Sequence, residues 1–539
     1  MHKIILHLIA VNLLIAWTCR ASSAQQESKD PGRPNIIFIL ADDLGYGDMR
    51  CTGGKAPTPY LDSMAKNGVL FSDAHTTSSV CSPSRYSLMT GRYNWRRLSH
   101  GIVWDFAPSL LRKNRVTVAD FLRNKGYQTH MVGKWHLGHT WQKLPNGQQR
   151  KPKNVPDGEY VKLGWQFDYT KRALGGPFDH GFDSFYGTSA SLDIPPFVYI
   201  KDGFAEKIPT EQKTIVPRTG PAAEGFDEYK TLDIFAEKSR EVIKLACEKE
   251  QPFFLFLSLT SPHNPISPSK RWWGKSSFGR MGDFLMQTDW VVGEVIQQLQ
   301  AENELNNTLI MFSSDNGSPF WRNGQSRAVG HFANGQWRGG KSSIYEGGHR
   351  VPFLVQWPNK VKGGRVSNSL ITLGDFFATA ADAIGEHADI KDHVAEDSFS
   401  FLPDLIGNGN TKRENAILHA LDGTFAIRQG RWKLIFAPDS GGWDDPKPKP
   451  ASERWLTDTL LQLYDLESDP QEKQNVWKEN PEIVQALTAA MGQVAHSGRS
   501  TPGAVQLNDV DHPNGQVVGD VVFPQVYVEQ YSELAVPQK

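Results

Sequence analysis

Two pairs of adjacent oxygen-bearing residues, Asp42-Asp43 and Asp315-Asn316, carry a donor set suited to a hard divalent cation. No histidine triad or cysteine cluster accompanies them, so the set favours calcium, with magnesium as the alternative, over zinc. Either pair alone also reads as a turn or a helix cap, a common use of Asp and Asn. The second signal is Cys81-Ser82-Pro83-Ser84-Arg85, followed by Thr90-Gly91-Arg92. Pro83 fits the first turn of a helix, which sets Cys81 at the positive helix end and Arg85 one turn on. Read plainly, this is an activated cysteine at an anion site; the blander reading is a buried thiol beside a structural proline. His136 and His263 can move protons near neutrality, and Lys134 and Lys341 can neutralise a negative group. Taken singly, the histidines also read as satisfied core groups and Lys341 as a solvated loop cation.

These residues follow short runs rich in apolar residues, three of them apolar at nearly every position and 127–132 less so. Residues 35–40 precede Asp42, 127–132 precede Lys134 and His136, 252–259 precede His263, and 308–312 precede Asp315. Such runs fit strands buried on both faces of a sheet. Helix-like stretches lie between them at 58–67, 116–125, 231–249 and 281–302. The alternation predicts an α/β fold, a large doubly wound, mixed but mainly parallel sheet flanked by helices. Ligands in such sheets bind beyond the carboxyl ends of the strands. Four segments far apart in sequence are therefore expected to converge on one site. From about residue 414 the texture changes to short strands at 416–420, 424–429, 432–436 and 463–466, then a helix over 480–496. We read a smaller C-terminal antiparallel-sheet subdomain over 414–499, after a catalytic unit over 34–413, with a Pro- and Gly-rich tail over 500–539. Residues 138–177 read as a loop at the rim of the site.

The Cys81–Arg85 and Thr90–Arg92 segments together resemble the signature of the formylglycine-dependent sulfatases of the alkaline phosphatase superfamily. Further motifs agree in order: Asp42-Asp43-Leu44-Gly45-Tyr46-Gly47, Gly133-Lys134-Trp135-His136-Leu137-Gly138, Ser261-Pro262-His263 and Ser314-Asp315-Asn316-Gly317. Arg338-Gly339-Gly340-Lys341 with Glu346-Gly347-Gly348, Arg350-Val351-Pro352-Phe353, and Leu463-Tyr464-Asp465-Leu466 with Asp469-Pro470 extend the similarity over about residues 34–480. The resemblance implies that a maturation enzyme oxidises Cys81 to Cα-formylglycine, an aldehyde that hydrates to a geminal diol. One hydroxyl of residue 81 then attacks sulfur and forms a covalent sulfate ester. Asp42, Asp43, residue 81, Asp315 and Asn316 are expected to hold the metal, while Arg85, Lys134 and Lys341 neutralise the transferring group. His263 and Lys341 are candidates for protonating the leaving alcohol, and both, with Lys134, for binding substrate. His136 is the candidate base that deprotonates the second hydroxyl and so expels sulfate. His180, within Asp179-His180-Gly181, is read as packing, and Trp141, Trp272, Trp273 and Trp321 as core or rim. The expected substrate is a sulfated sugar or polysaccharide. Two other functions fit the same residues: a phosphodiesterase or phosphonate hydrolase of the superfamily, and a silent receptor for sulfated glycans.

Composition bounds these readings. A net charge of -1 gives no global pull toward nucleic acid or anionic membrane, so any anion must be held by a local cluster of cations. His2 and Lys3, an apolar run over 4–17 and small residues from Ala21 to Ala24 read as a secretory signal cleaved after Ala24. Residues 25–33 then form a polar linker. The apolar run is too short for a stable membrane span. The protein is thus expected to be exported, to the periplasm or medium, or to a lysosome-like compartment in a eukaryote. Cys51, Cys81 and Cys247 would remain, too few and too far apart to form a disulfide framework, with a Cys51–Cys247 bridge left open.

Overall fold

A computed structural model describes residues 32–98, 100–151, 163–454 and 460–508. The expected signal segment and residues 509–539 of the tail lie outside them. The central element is a ten-stranded sheet. In spatial order its strands are Arg365–Ser367, Val69–Phe71, Phe353–Gln356, Thr308–Ser314, Asn35–Asp42, Phe253–Pro262, Gln128–Lys134, Ser184–Thr188, Ile200–Lys201 and Phe204–Ala205. The five strands from Thr308–Ser314 to Ser184–Thr188 run parallel, and antiparallel pairings begin on either side of them. The expected mixed, mainly parallel sheet is present.

The apolar runs form strands because both of their faces are covered. In Asn35–Asp42, Ile36, Phe38 and Leu40 join one hydrophobic core, while Ile37, Ile39 and Ala41 join the other. The first core is closed by the helices Cys81–Thr90, Val118–Asn124 and Phe376–Ala383. The second is closed by Pro59–Asn67, Thr231–Cys247 and Arg280–Ala301. Each helix has a sequence reason. Leu232, Phe235, Ala236, Ile243 and Ala246 place one apolar stripe of Thr231–Cys247 on the sheet. Val118–Asn124 starts with a reciprocal capping box between Thr117 and Asp120. Cys81–Thr90 stops at Gly91, whose left-handed backbone (φ 62°) returns its N–H to the Ser87 carbonyl.

Strands Asn415–His419, Phe425–Gln429, Trp432–Ile435 and Gln462–Asp465 form the smaller antiparallel sheet, as expected. Helix Pro481–Ser497 covers one face through Val484, Leu487 and Met491 in a core that also takes in Tyr93 and Trp95. Ile344 and Tyr345 pack on the other face. Of residues 138–177, read as a rim loop, those described have largely irregular backbone and bury the side chains of Trp141, Trp165, Phe167 and Tyr169. The described part of the tail lies on the larger unit, with Ser500 Oγ donating to Asp397 Oδ1 and Arg92 donating to the Leu507 carbonyl. No disulfide joins Cys51, Cys81 and Cys247. Among the described residues, no helix is long and apolar enough to cross a membrane.

Candidate active site

Register brings the reactive residues together. Ala41 pairs with Ser314, and Asp42 with Pro262. Gly133 pairs with Ser258. Asp42, Lys134, His263, Asp315 and Asn316 therefore leave neighbouring strands at one edge. Helix Cys81–Thr90 brings Cys81 and Arg85 against that edge. Cys81 Sγ lies 3.7 Å from Asp42 Oδ1. Lys134 Nζ lies 2.7 Å from Asp42 Oδ2, and Lys341 Nζ 2.7 Å from Asp43 Oδ1. Arg85 donates through Nε to Asp315 Oδ2 at 2.9 Å, and through Nη1 to Ser258 Oγ at 2.5 Å and the Lys134 carbonyl at 3.2 Å. Asn316 Nδ2 donates to Asp43 Oδ1 at 2.6 Å. His263, at the edge of the cluster, sets Nε2 3.6 Å from Asp43 Oδ2. Asp43, His136 and Ser342 all adopt left-handed backbone (φ 67°, 58° and 81°), the kind of local strain that concentrates at functional sites.

Residues 34–386 match the family model described as Sulfatase. The chain belongs to the sulfatase family. It is a sulfuric ester hydrolase. This sulfatase is 33% identical to an N-acetylgalactosamine-6-O-sulfatase of Bacteroides thetaiotaomicron, over 88% of this chain and 96% of that protein. It is 31% identical to human arylsulfatase A, over 84% of this chain and 86% of that one. A solved structure from work on glycosaminoglycan metabolism by Bacteroides thetaiotaomicron superposes with a TM-score of 0.72. It is 32% identical and covers 86% of this chain and 99% of that one.

The sulfatase's site is a nearly dry cluster in which three carboxylates (Asp42, Asp43, Asp315) face three cations (Arg85, Lys134, Lys341). Burial pushes the Asp42 carboxyl up, but Lys134, His263 and Arg85 outweigh it and hold it down at about 2. Burial acts the other way on Lys341, yet Asp43, the Cys81 sulfur, Asp42 and Asp315 raise it above its usual value, so it stays charged. The Cys81 thiol is pushed up to about 12, by burial first and by Asp315 and Asp42, against the pull of Lys134 and Lys341. Low dielectric and two carboxylates cancel what the lysines and helix end offer.

His136 is buried, and its Nε2 lies 3.0 Å from the Val103 carbonyl. A carbonyl only accepts, so Nε2 carries the proton and Nδ1 the lone pair; Nδ1 has no hydrogen-bond partner. Burial, then Lys134, Arg85, His263 and Lys341, push this imidazole well below its usual range, so it is neutral. The residues fit a hard cation. The Asn316 Oδ1 is buried without a partner beside Asp42, Asp43 and Asp315, an acceptor left over for a ligand. Asp42, Asp43, Cys81 and His263 also set ligand atoms within 4.8 Å of one another.

All ten residues singled out in the sequence lie at or beside this site. His180 does not; it is buried, and its carbonyl accepts from Thr117 Oγ1. Trp141 packs on Tyr169, Trp272 on Trp290, and Trp273 under the Arg280 guanidinium. Trp321 donates to Asp444 Oδ1. Sequence reasoning missed Ser258, which accepts from Arg85 and donates to the Lys134 carbonyl. It also missed Asp193 and Arg218, which meet beside His263. Ser258 was findable, as a polar residue in the middle of a mainly apolar strand. The other two carry no local signal.

Proposed function

We infer that this sulfatase releases sulfate from a sulfated carbohydrate, using an oxygen nucleophile made from Cys81 and a bound divalent cation. The observation that carries the reading is the convergence of Asp42, Asp43, Asp315 and Asn316 with Arg85, Lys134 and Lys341 around buried residue 81, whose Sγ lies 3.7 Å from Asp42 Oδ1. Oxidation to formylglycine supplies, on hydration, two hydroxyls at that point. Asp42, Asp43, residue 81, Asp315 and Asn316 would hold the cation, which would supply acidity at residue 81 and charge stabilisation to a sulfate oxygen.

The chain's own residues do the rest. Arg85, fixed by Asp315, Ser258 and the Lys134 carbonyl, presents a rigid cation to residue 81. Lys134 and Lys341 neutralise the sulfuryl group; preorganised cations of this kind are often the largest catalytic contribution. His263 and Lys341 stand on the Asp43 side, where a proton can be given to the departing sugar oxygen. The Nδ1 lone pair of His136 is the acceptor for the proton that leaves residue 81. Support for a sugar substrate is the activity named for the Bacteroides relative. Support for export is the apolar segment with small residues before Ala24.

The test joins two measurements: the mass of the peptide containing residue 81, and sulfate release from a panel headed by N-acetylgalactosamine 6-sulfate, with an aryl phosphate diester as control. Active protein should carry the aldehyde, prefer a sulfated sugar, and lose turnover on chelation. An intact thiol in fully active protein, or full activity after chelation, refutes the mechanism.

A further inference from the structure

Asp193 follows strand Ser184–Thr188 and lies on the far side of His263 from Asp43. His263 Nε2 is 3.6 Å from Asp43 Oδ2, and its Nδ1 is 3.9 Å from Asp193 Oδ1. The second distance is too long for a hydrogen bond, and Nδ1 instead lies 2.5 Å from the Asn264 carbonyl. Asp193 is 7% exposed, and its Oδ1 is buried with no hydrogen-bond partner. A buried carboxylate oxygen left without a donor is costly, so it points to one that arrives with a ligand. Its other oxygen, Oδ2, accepts from Arg218. Arg218 opens strand Arg218–Ala222, and its guanidinium carbon lies 4.8 Å from the Trp104 ring centre. Trp104 is 47% exposed, and the adjacent Val103 carbonyl is the partner of His136. Three segments distant in sequence thus build one wall beside the histidine placed at the leaving group.

We propose that Asp193 reads a ring hydroxyl of the sugar that leaves, with Arg218 and Trp104 holding its carboxylate in place. The proposal rests on the sulfated-carbohydrate reading above and deepens it. Arg218 already balances the charge of Asp193, so the donor that Oδ1 lacks is neutral; a sugar hydroxyl supplies it and a cation does not. A site built to bind a hydroxyl discriminates strongly against an analogue that lacks it, because its own polar group is then stranded. Asp193 is accordingly a selectivity determinant.

The experiment is a double cycle between protein and substrate. Wild-type enzyme is assayed on its sulfated monosaccharide and on the series of monodeoxy analogues, and the series is repeated with Asp193→Asn. Arg218 keeps the amide oxygen as its acceptor, so the substitution puts an NH2 donor at the Oδ1 position with little change of shape. The expected result is that one hydroxyl, when removed, costs wild type about 10- to 100-fold in kcat/KM. Asp193→Asn should cost a similar factor on the full substrate, and removing that hydroxyl should cost the variant no more than about 3-fold further. If Asp193→Asn does not fold, Trp104→Ala gives the second arm: loss of the ring that steadies Arg218 should narrow the same discrimination. Equal losses for every deoxy analogue in wild type and variants overturn the subsite while leaving the sulfatase reading intact. A properly matured wild type that releases no sulfate from any sugar overturns both.

Discussion

At the scale of the residue, the chemistry depends on what position 81 can do twice. A lone hydroxyl there can attack sulfur but cannot expel the sulfate it has captured, whereas a hydrated aldehyde can. Cys81→Ala should abolish turnover, and Cys81→Ser should release at most one equivalent of alcohol per enzyme, read as a burst without a steady state. Sustained turnover by the serine variant would falsify this route. Arg85 makes a second, sharper point. Its guanidinium serves Asp315, Ser258 and the Lys134 carbonyl at once. A lysine keeps the charge but not the fork. Arg85→Lys should therefore lower kcat by about 10²-fold or more, the loss typical of removing one preorganised donor. KM should change much less; a variant within a few-fold of wild type would show that charge alone suffices.

At the scale of the element, a buried charge network ties helix Glu346–His349 to strand Trp432–Ile435. Lys433 Nζ lies 3.1 Å from Glu346 Oε1, 2.8 Å from Glu472 Oε1 and 2.9 Å from His349 Nε2. His349 Nδ1 is 2.9 Å from His75 Nδ1, and His75 Nε2 is 2.9 Å from Asp73 Oδ1. Arg350 and Arg428 complete the set on Asp73. Three carboxylates (Asp73, Glu346, Glu472) then meet three cations (Arg350, Arg428, Lys433), so the imidazoles are accommodated as neutral rings. Burial pushes His75 down against Glu346 and Asp73, and burial with Lys433 pushes His349 well below its usual range. Elsewhere burial holds His130 at about 4, His139 at about 3 and His419 at about 4. A histidine whose folded pKa is lowered takes up its proton first in the unfolded chain. Stability is then full above the unfolded pKa of about 6.5 and falls as pH drops below it. Asp289, pushed up to about 7 by burial, and Asp48 and Glu472, also raised by burial, work in the opposite sense, but the five histidines outnumber them. The urea midpoint should fall between pH 7.5 and 5; a flat or rising midpoint would contradict the balance.

At the scale of the whole molecule, the smaller sheet shares its two hydrophobic cores with segments of the catalytic unit. Tyr93 and Trp95, just beyond the Cys81 helix, are buried in its core, and Ile344 and Tyr345, just beyond Lys341, pack on its other face. Both segments that present catalytic candidates thus lean on residues after 414. Calorimetry should give one transition for the described body rather than two. Lys433→Met removes the cation between Glu346 and Glu472 and leaves buried charge uncompensated, a change that costs about 3–5 kcal/mol. It should lower the midpoint of that single transition and reduce activity, although Lys433 touches no proposed ligand. Two separate peaks, with only the smaller moved by the substitution, would show that the sheets unfold independently.

The sequence by itself determined the elements and the chemical set. Runs such as 36–40 and 309–312 are apolar at every other position and at the positions between, so they declare strands covered on both faces. Polar residues directly after those runs had to leave at the carboxyl edge, and Asp42, Lys134, His263 and Asp315 do. The order of motifs named the family, and with it the fold. Only the tertiary structure decided the pairing: which lysine meets which carboxylate, that Ser258 braces Arg85, and that Asp193, Arg218 and Trp104 share a wall. Those partners lie tens to hundreds of residues apart, and strand register, not local periodicity, sets their distances. It also decided the state of the thiol. Burial and the sum of surrounding charges set a pKa, and neither belongs to any one segment of chain.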